Sequence, residues 1–219
     1  LCLTEHIASR GFIVAAPDFV DTAPPEFQEP AAFERIEGNK GVKDADTVLK
    51  IVGDFARVMN SDREKFNWYM EQFRLRKTRF VIDMMIQQHE NSSSPFYGLI
   101  DRRSIAVSGH SLGGLTALGV IGGHPREEMK DSRVKAALVL SSSVYPYENQ
   151  IHRIQAPIMI MHGDNDEPMN PDYPRQLLYE KANPPKYYLI LRETTHFTFG
   201  NTPCPVSYTH LTLPTNREV

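Results

Sequence analysis

The stretch Val107-Ser108-Gly109-His110-Ser111-Leu112-Gly113-Gly114 sets one hydroxyl between Gly109 and Gly113, directly after one apolar run and directly before another. A serine so placed is a candidate nucleophile if the chain turns sharply there from strand to helix. The turn requires small neighbours, and side chains at positions 109 and 113 are expected to collide with the crossing strand and helix. A helix opening just after Ser111 favours the negative charge of a tetrahedral intermediate. The backbone N–H of Leu112 is the expected donor to that oxyanion. The bare Gly-x-Ser-x-Gly pattern arises by chance in roughly one chain of this length in fifteen, so the strand before it and the helix after it must carry the assignment. A tightly packed glycine turn with an inert serine is the alternative. A phosphate cradle is disfavoured, because the Lys-Ser/Thr pair of such loops is missing.

A nucleophilic serine needs a base, and the base needs a carboxylate to fix its tautomer. On a strand–helix scaffold these follow in the order serine, acid, histidine, each near a strand end. The segment Pro157 to Pro168 contains Met161-His162-Gly163-Asp164-Asn165-Asp166, and both Asp164 and Asp166 qualify by position. Asp166 is favoured because Gly163 turns the chain first and the acid usually stands a few residues past the strand. His196, in Thr194-Thr195-His196-Phe197-Thr198-Phe199, is the candidate base. His6, His89, His110, His124, His152 and His162 are weaker. His110 adjoins the nucleophile, yet packing at the elbow suits it better than proton transfer. No histidine pair has helical metal-ligand spacing with a glutamate, and Cys2 and Cys204 fit neither a zinc motif nor a disulfide scaffold. No metal and no cofactor are expected.

These residues need a scaffold, and the hydrophobic pattern describes one. Apolar runs at 11–16, 104–108, 134–140, 157–161 and 186–191 read as five strands. Helical patterns cover Leu3 to Arg10, Val42 to Met59, Asp62 to Gln88, Leu112 to Ile121 and Pro171 to Ala182. Residues 21–39, rich in Pro, Glu and Gly, read as a loop. Strands alternating with helices imply a mostly parallel sheet covered by helices, an α/β fold. Phe66, Trp68 and Tyr69 lie in a helical segment, about 42–74, that reads as an insertion. They suit an acyl pocket under a lid, though aromatics at helical spacing more often form core. Tyr145 and Met169, near strand ends, are further candidates for pocket walls.

The chain has 219 residues, a formal net charge of -3 and a pI near 6.3. One domain is the default at this length. That charge gives no reason to expect nucleic acid or an anionic membrane as a partner, and no apolar run reaches the ~20 residues of a membrane helix. The basic run Arg74-Leu75-Arg76-Lys77-Thr78-Arg79 reads as a solvated helix face. Residues 206–219 show neither helical nor strand periodicity. They resemble translated adapter read-through and are set aside with His210 as a non-native tail. Asn91-Ser92-Ser93 matches a glycosylation sequon by pattern alone, and the compartment is not legible.

Taken together, "LTEHIASRGFIVAAPDF", "RFVIDMMIQQ", "LIDRRSIAVSGHSLGG", "PIMIMHGDNDEP" and "THFTF" resemble the α/β-hydrolase superfamily. The likeness is to its dienelactone-hydrolase-like and platelet-activating-factor-acetylhydrolase-like carboxylesterases. It spans about residues 1–200, with no family pattern near 21–73. It implies an α/β-hydrolase fold, a Ser111–Asp166–His196 triad, hydrolysis of a small-molecule carboxylic ester through an acyl-enzyme, and no cofactor. A serine in place of the dienelactone hydrolases' cysteine leans toward the esterase relatives. It further implies that strands and a loop with a second oxyanion N–H precede Leu1, so this chain is expected to be an N-terminally truncated domain with little activity of its own. A serine peptidase of the same fold and a non-catalytic binding module stay open as alternatives.

Overall fold

Four of the apolar runs become strands because each is long enough, and apolar enough on at least one face, to be buried beside a neighbour. The structure is a computed structural model that describes residues 2–17, 61–166 and 170–199. Its strands are β1 (Ile105–His110), β2 (Val134–Leu140), β3 (Ile158–Gly163) and β4 (Lys186–Leu191). They form one sheet in the order β1-β2-β3-β4, and every pairing is parallel. This arrangement decides where chemistry can happen. In an all-parallel sheet every strand ends on the same edge, so the loops after β1, β2, β3 and β4 converge there.

Helices supply the crossovers. Helix α1 (Cys2–Ser9) stands near the beginning of the chain. Helix α2 (Arg63–Tyr69) starts at Asp62, whose side chain accepts from the Lys65 N–H at 2.9 Å. It continues through a π-helical turn, Met70–Leu75, into α3 (Arg76–Glu90). The single long helix expected over Asp62 to Gln88 is therefore present with a wider turn in its middle. That turn buries Met70, Glu71 and Leu75 on one side. Asn91 leaves helical geometry and ends α3. Helix α4 (Leu112–Leu118) follows β1, runs into a second π turn at Gly119–Gly123, and packs on β1 and β2. Between β3 and β4 lies α5 (Asp172–Pro174), extended by a π turn at Arg175–Tyr179.

The core sits between α2–α4 and the sheet. Phe66, Met70, Leu75, Leu118, Val139, Ile160 and Leu178 are fully buried in one cluster. Burying side chains of this size is worth about 1.5–3 kcal/mol each, so these contacts hold the strand ends in place. The basic run after Leu75 keeps a solvated face, with Arg76 exposed, but two of its guanidinium groups are tied down. Arg76 pairs with buried Glu71 at 2.7 Å, and Arg79 donates to the Glu128 carbonyl at 2.8 Å.

The expected first strand is a correction. Residues 11–16 form no strand, and Phe12, Ile13 and Val14 are 65, 41 and 37 % exposed. Apolar, β-branched residues favour an extended chain, but a strand exists only through hydrogen bonds to a neighbour. Among the described residues none pairs with this run. At the other edge, β4 exposes Tyr187, Leu189 and Ile190. The helical stretch expected over Val42 to Met59, the loop at 21–39 and the tail at 206–219 lie outside the described residues.

Candidate active site

Ser111 follows β1 directly and adopts φ 54°, ψ −119°. Residues with a Cβ rarely occupy this region, at a cost of order 1–3 kcal/mol, and such strain gathers at functional turns. Backbone hydrogen bonds maintain it. The Ser111 N–H donates to the Leu140 carbonyl at the end of β2 at 2.9 Å. The Ser111 carbonyl accepts from Gly114 and Leu115 at 3.0 and 3.2 Å and so starts α4. Serine at such a position usually caps the helix with its own hydroxyl. Here the side chain makes no capping bond, so the hydroxyl is not committed to the helix. Leu112 is the first residue of α4, and its N–H has no acceptor within the helix.

The glycine requirement falls differently from the motif. A Cβ on Gly109 would overlap the Gly113 backbone, as expected, but one on Gly113 would meet nothing within 4 Å. The second position that must stay bare is Gly114, where a Cβ would stand 2.5 Å from the Ser142 Cβ. The loop after β2 presses on α4 one residue beyond the motif's last glycine.

The loops after β3 and β4 are stitched together. Asp164 N–H donates to the Leu191 carbonyl at 3.0 Å, and Asn165 N–H to the Thr194 carbonyl at 3.0 Å. Gly163 permits this approach, since a Cβ there would overlap the Thr194 carbonyl. Asp164 is exposed, and its carboxylate accepts from the Thr194 N–H at 3.3 Å. Asp166 is 2 % exposed and reaches His196, also 2 % exposed. His196 Nδ1 lies 3.1 Å from Oδ1 and 3.3 Å from Oδ2. An ionised carboxylate only accepts, so Nδ1 is the nitrogen that donates, and in the neutral form of such a ring Nε2 is the one left with a lone pair. An imidazole in this state can take a proton at Nε2. Burial pushes the Asp166 carboxyl up, but His162, His196 and the Ser141 hydroxyl together hold it well below the usual carboxylate range.

His110 bridges the two halves of the site. Its Nε2 is 2.8 Å from the His196 carbonyl oxygen, which can only accept, so His110 is the Nε2–H tautomer. Its ring lies 4.5 Å from that of His196 and 6.0 Å from that of Phe199, centroid to centroid. Burial, then the neighbouring His196, lowers its pKa from 6.5 to about 4, so the ring is neutral at pH 7. The residue before Ser111 and the loop bearing His196 are thus in direct contact.

The other sequence candidates sort by burial. Phe66 and Tyr69 are core side chains, Tyr69 stacking on Phe73 at 5.6 Å. Trp68 is 44 % exposed and sits edge-on to Phe73. Tyr145 lies under the Arg63 guanidinium at 4.5 Å. Met169 is outside the described residues. His124 is buried against Tyr147 and bonded to the Asn67 carbonyl, away from the strand ends. A hollow of about 310 Å³ lined by Lys130, Val134 and Pro157 lies where β2 and β3 begin, the opposite end of the sheet from Ser111. Among the described residues no group of three His, Cys, Asp or Glu side chains is disposed to hold a metal ion, and no helix is long and apolar enough to cross a membrane.

Two residues beside the acid went unselected from sequence. His162 shares the buried face of β3 with Ile158 and Ile160. A polar ring on that face of an apolar strand was a legible signal. Ser141, first after β2, holds φ 41° and is fully buried. It stands in a run of three serines, and nothing in composition separates it from Ser142 or Ser143.

A family model described as PETase, PET hydrolase-like, matches residues 67–211 of the 219. No curated protein matches the chain. Among solved structures, the chain is similar to the esterase domain of a Rhodothermus marinus protein, with 20 % identity and TM-score 0.34 over 42 % of this chain and 51 % of that one. It is also similar to an Agrobacterium tumefaciens protein of unknown function described as a candidate alpha/beta hydrolase, with 15 % identity and TM-score 0.45 over 57 % of this chain and 52 % of that one. The chain spans about half the length of these matched structures.

Proposed function

The chain belongs to the PET hydrolase-like family, and from that premise and the site we propose that it hydrolyses carboxylic esters through an acyl-enzyme on Ser111. The fold is that of an α/β-hydrolase, in line with the resemblance read from sequence. One observation carries the reading. A buried Asp166–His196 pair, closed at 3.1 Å from two different loops, lies on the sheet edge where Ser111 sits in its strained turn with an uncapping hydroxyl.

In the reaction, Ser111 Oγ attacks the ester carbonyl carbon as its proton passes to His196 Nε2. Asp166 stabilises the resulting imidazolium through the Nδ1–H bond. The Leu112 N–H donates to the oxyanion. Collapse of the intermediate expels the alcohol, which takes the proton from His196. Water then repeats the sequence on the acyl-enzyme, releasing the carboxylic acid and restoring Ser111. No metal or cofactor enters any step.

The test is covalent. The 219-residue chain is treated with a fluorophosphonate, digested and mapped by mass, and assayed on p-nitrophenyl esters of graded acyl length and on a soluble terephthalate diester. Modification at Ser111 is expected, together with loss of whatever turnover the chain shows in Ser111→Ala. Hydrolysis that survives this substitution, or a label on another residue, would remove the assignment. Preference between the p-nitrophenyl series and the aromatic diester then defines the substrate class. Cleavage of amides in preference to matched esters would favour the peptidase alternative.

A further inference from the structure

Asp166 has two neighbours for which the reaction above has no use. His162 is fully buried on β3, and its Nδ1 lies 3.6 Å from Asp166 Oδ2. Neither of its ring nitrogens has a hydrogen-bond partner among the described residues. Ser141 is also fully buried, and its hydroxyl lacks a partner too. Buried donors are almost always satisfied, because leaving one unmade forfeits its hydration without return. Two orphaned donors beside one carboxylate share an obvious acceptor.

We propose that His162 and Ser141 are positioning residues that clamp the Asp166 carboxylate, His162 through Nδ1–H on Oδ2 and Ser141 through its hydroxyl, and so fix the carboxylate's plane for His196. The inference rests on reading Asp166 as the acid of the triad. It follows from what one bond cannot do. His196 Nδ1 lies almost equally far from both carboxylate oxygens, 3.1 and 3.3 Å, which restrains rotation about the carboxylate's own axis poorly. A carboxylate offers about four lone-pair sites, so it accommodates three donors. At 3.6 Å His162 Nδ1 stands just outside hydrogen-bond range of Oδ2.

The strained backbone of Ser141, φ 41°, is anchored by its N–H donating to the Met161 carbonyl at 2.9 Å. This holds the residue between β2 and β3, where its hydroxyl helps to keep the Asp166 carboxyl ionised. The clamp therefore draws one donor from each of three elements: the loops after β2 and β4, and β3 itself. The ionisable groups facing His162 include Asp166 on the loop after β3, Tyr188 on β4 with ring centroids 6.4 Å apart, and His110 across the site. The clamp needs only a proton on His162 Nδ1.

The test uses the 219-residue chain labelled with ring-¹⁵N histidine. At neutral pH the His162 signals should show a protonated Nδ1 and a bare Nε2, and a bare Nδ1 would overturn the proposal. This readout is independent of turnover, so it fails separately from the esterase reading. In the active protein, His162→Phe should lower kcat ten- to a hundredfold with KM within twofold. His162→Asn, whose amide nitrogen stands where Nδ1 does, should recover most of that loss. If His162→Asn is as slow as His162→Phe while both melt cooperatively, the clamp is wrong. Ser141→Ala should lower kcat severalfold, and an unchanged kcat removes Ser141 from it.

Discussion

His110 Nε2 donates to the backbone carbonyl of His196 across 2.8 Å, so the residue that precedes the nucleophile turn holds the loop that bears the imidazole. The two residues are far apart in sequence and lie at the C-terminal ends of the two outer strands, β1 and β4. Their contact ties the turn that bears Ser111 to the loop that bears its candidate base.

That anchor is separable from chemistry. His110→Phe keeps a ring against Phe199 but loses the donor, and a misplacement of about 1 Å can cost ~10² in rate. We expect kcat to fall ten- to a hundredfold with KM little changed. His110→Gln, which can present an N–H at the Nε2 position, should recover much of it. Steady-state kinetics on one soluble ester decide the matter, and equal losses in both variants would rule out an anchoring role.

The glycines of the turn give a prediction that runs against the motif. Gly113→Ala meets open space in a helix, so it should be neutral or stabilise by about 0.4–1 kcal/mol. Gly109→Ala and Gly114→Ala meet the Gly113 backbone and Ser142, and each should cost about 1–3 kcal/mol or more. Urea unfolding of the three variants provides the ranking. A Gly113→Ala variant as unstable as Gly109→Ala would contradict the geometry.

How far the residues announced themselves depends on whether their roles were local. β2 and β3 were legible because a buried parallel strand is a short apolar run between breakers, and Val134–Leu140 is almost only that; β4 was legible as an apolar run although it is not buried. Ser111, Asp166 and His196 could be put forward as candidates because parallel strands end on one edge and chain order then limits the choices. Residues 11–16 misled, since pairing is not a property of the segment that would pair. The collision at Gly114 and the burial of Ser141 were also invisible. Both depend on the loop after β2 leaning onto α4 and β3, a tertiary contact with no periodic trace.

Strain at Ser111 has a measurable consequence. With φ 54°, ψ −119°, a glycine in its place should relieve part of a cost of order 1–3 kcal/mol. Ser111→Gly should therefore unfold at higher denaturant than Ser111→Ala, although both lack the hydroxyl. A lower midpoint for Ser111→Gly would mean that the turn is unstrained.

Acid should unfold the protein in two stages, and the first belongs largely to buried histidine. Native His110 resists protonation down to about pH 4, chiefly through burial, whereas an exposed imidazole takes up its proton near 6.5. Between those values the unfolded chain binds more protons than the native one, so stability falls as pH drops from 6.5 toward 4 and this group adds nothing below. Buried His124 is displaced in the same direction. Asp166 acts lower. Its carboxyl, held below the ordinary 3.8, contributes stability that is complete above that value and lost as pH falls beneath it. Urea midpoints measured from pH 7.5 to 3 should decline through the first window and steepen in the second. In His110→Phe the decline between 6.5 and 4 should be shallower. A midpoint that holds level or rises on acidification to pH 4.5 would mean that His110 accepts a proton in place, and that the contact with the His196 carbonyl survives a charged ring.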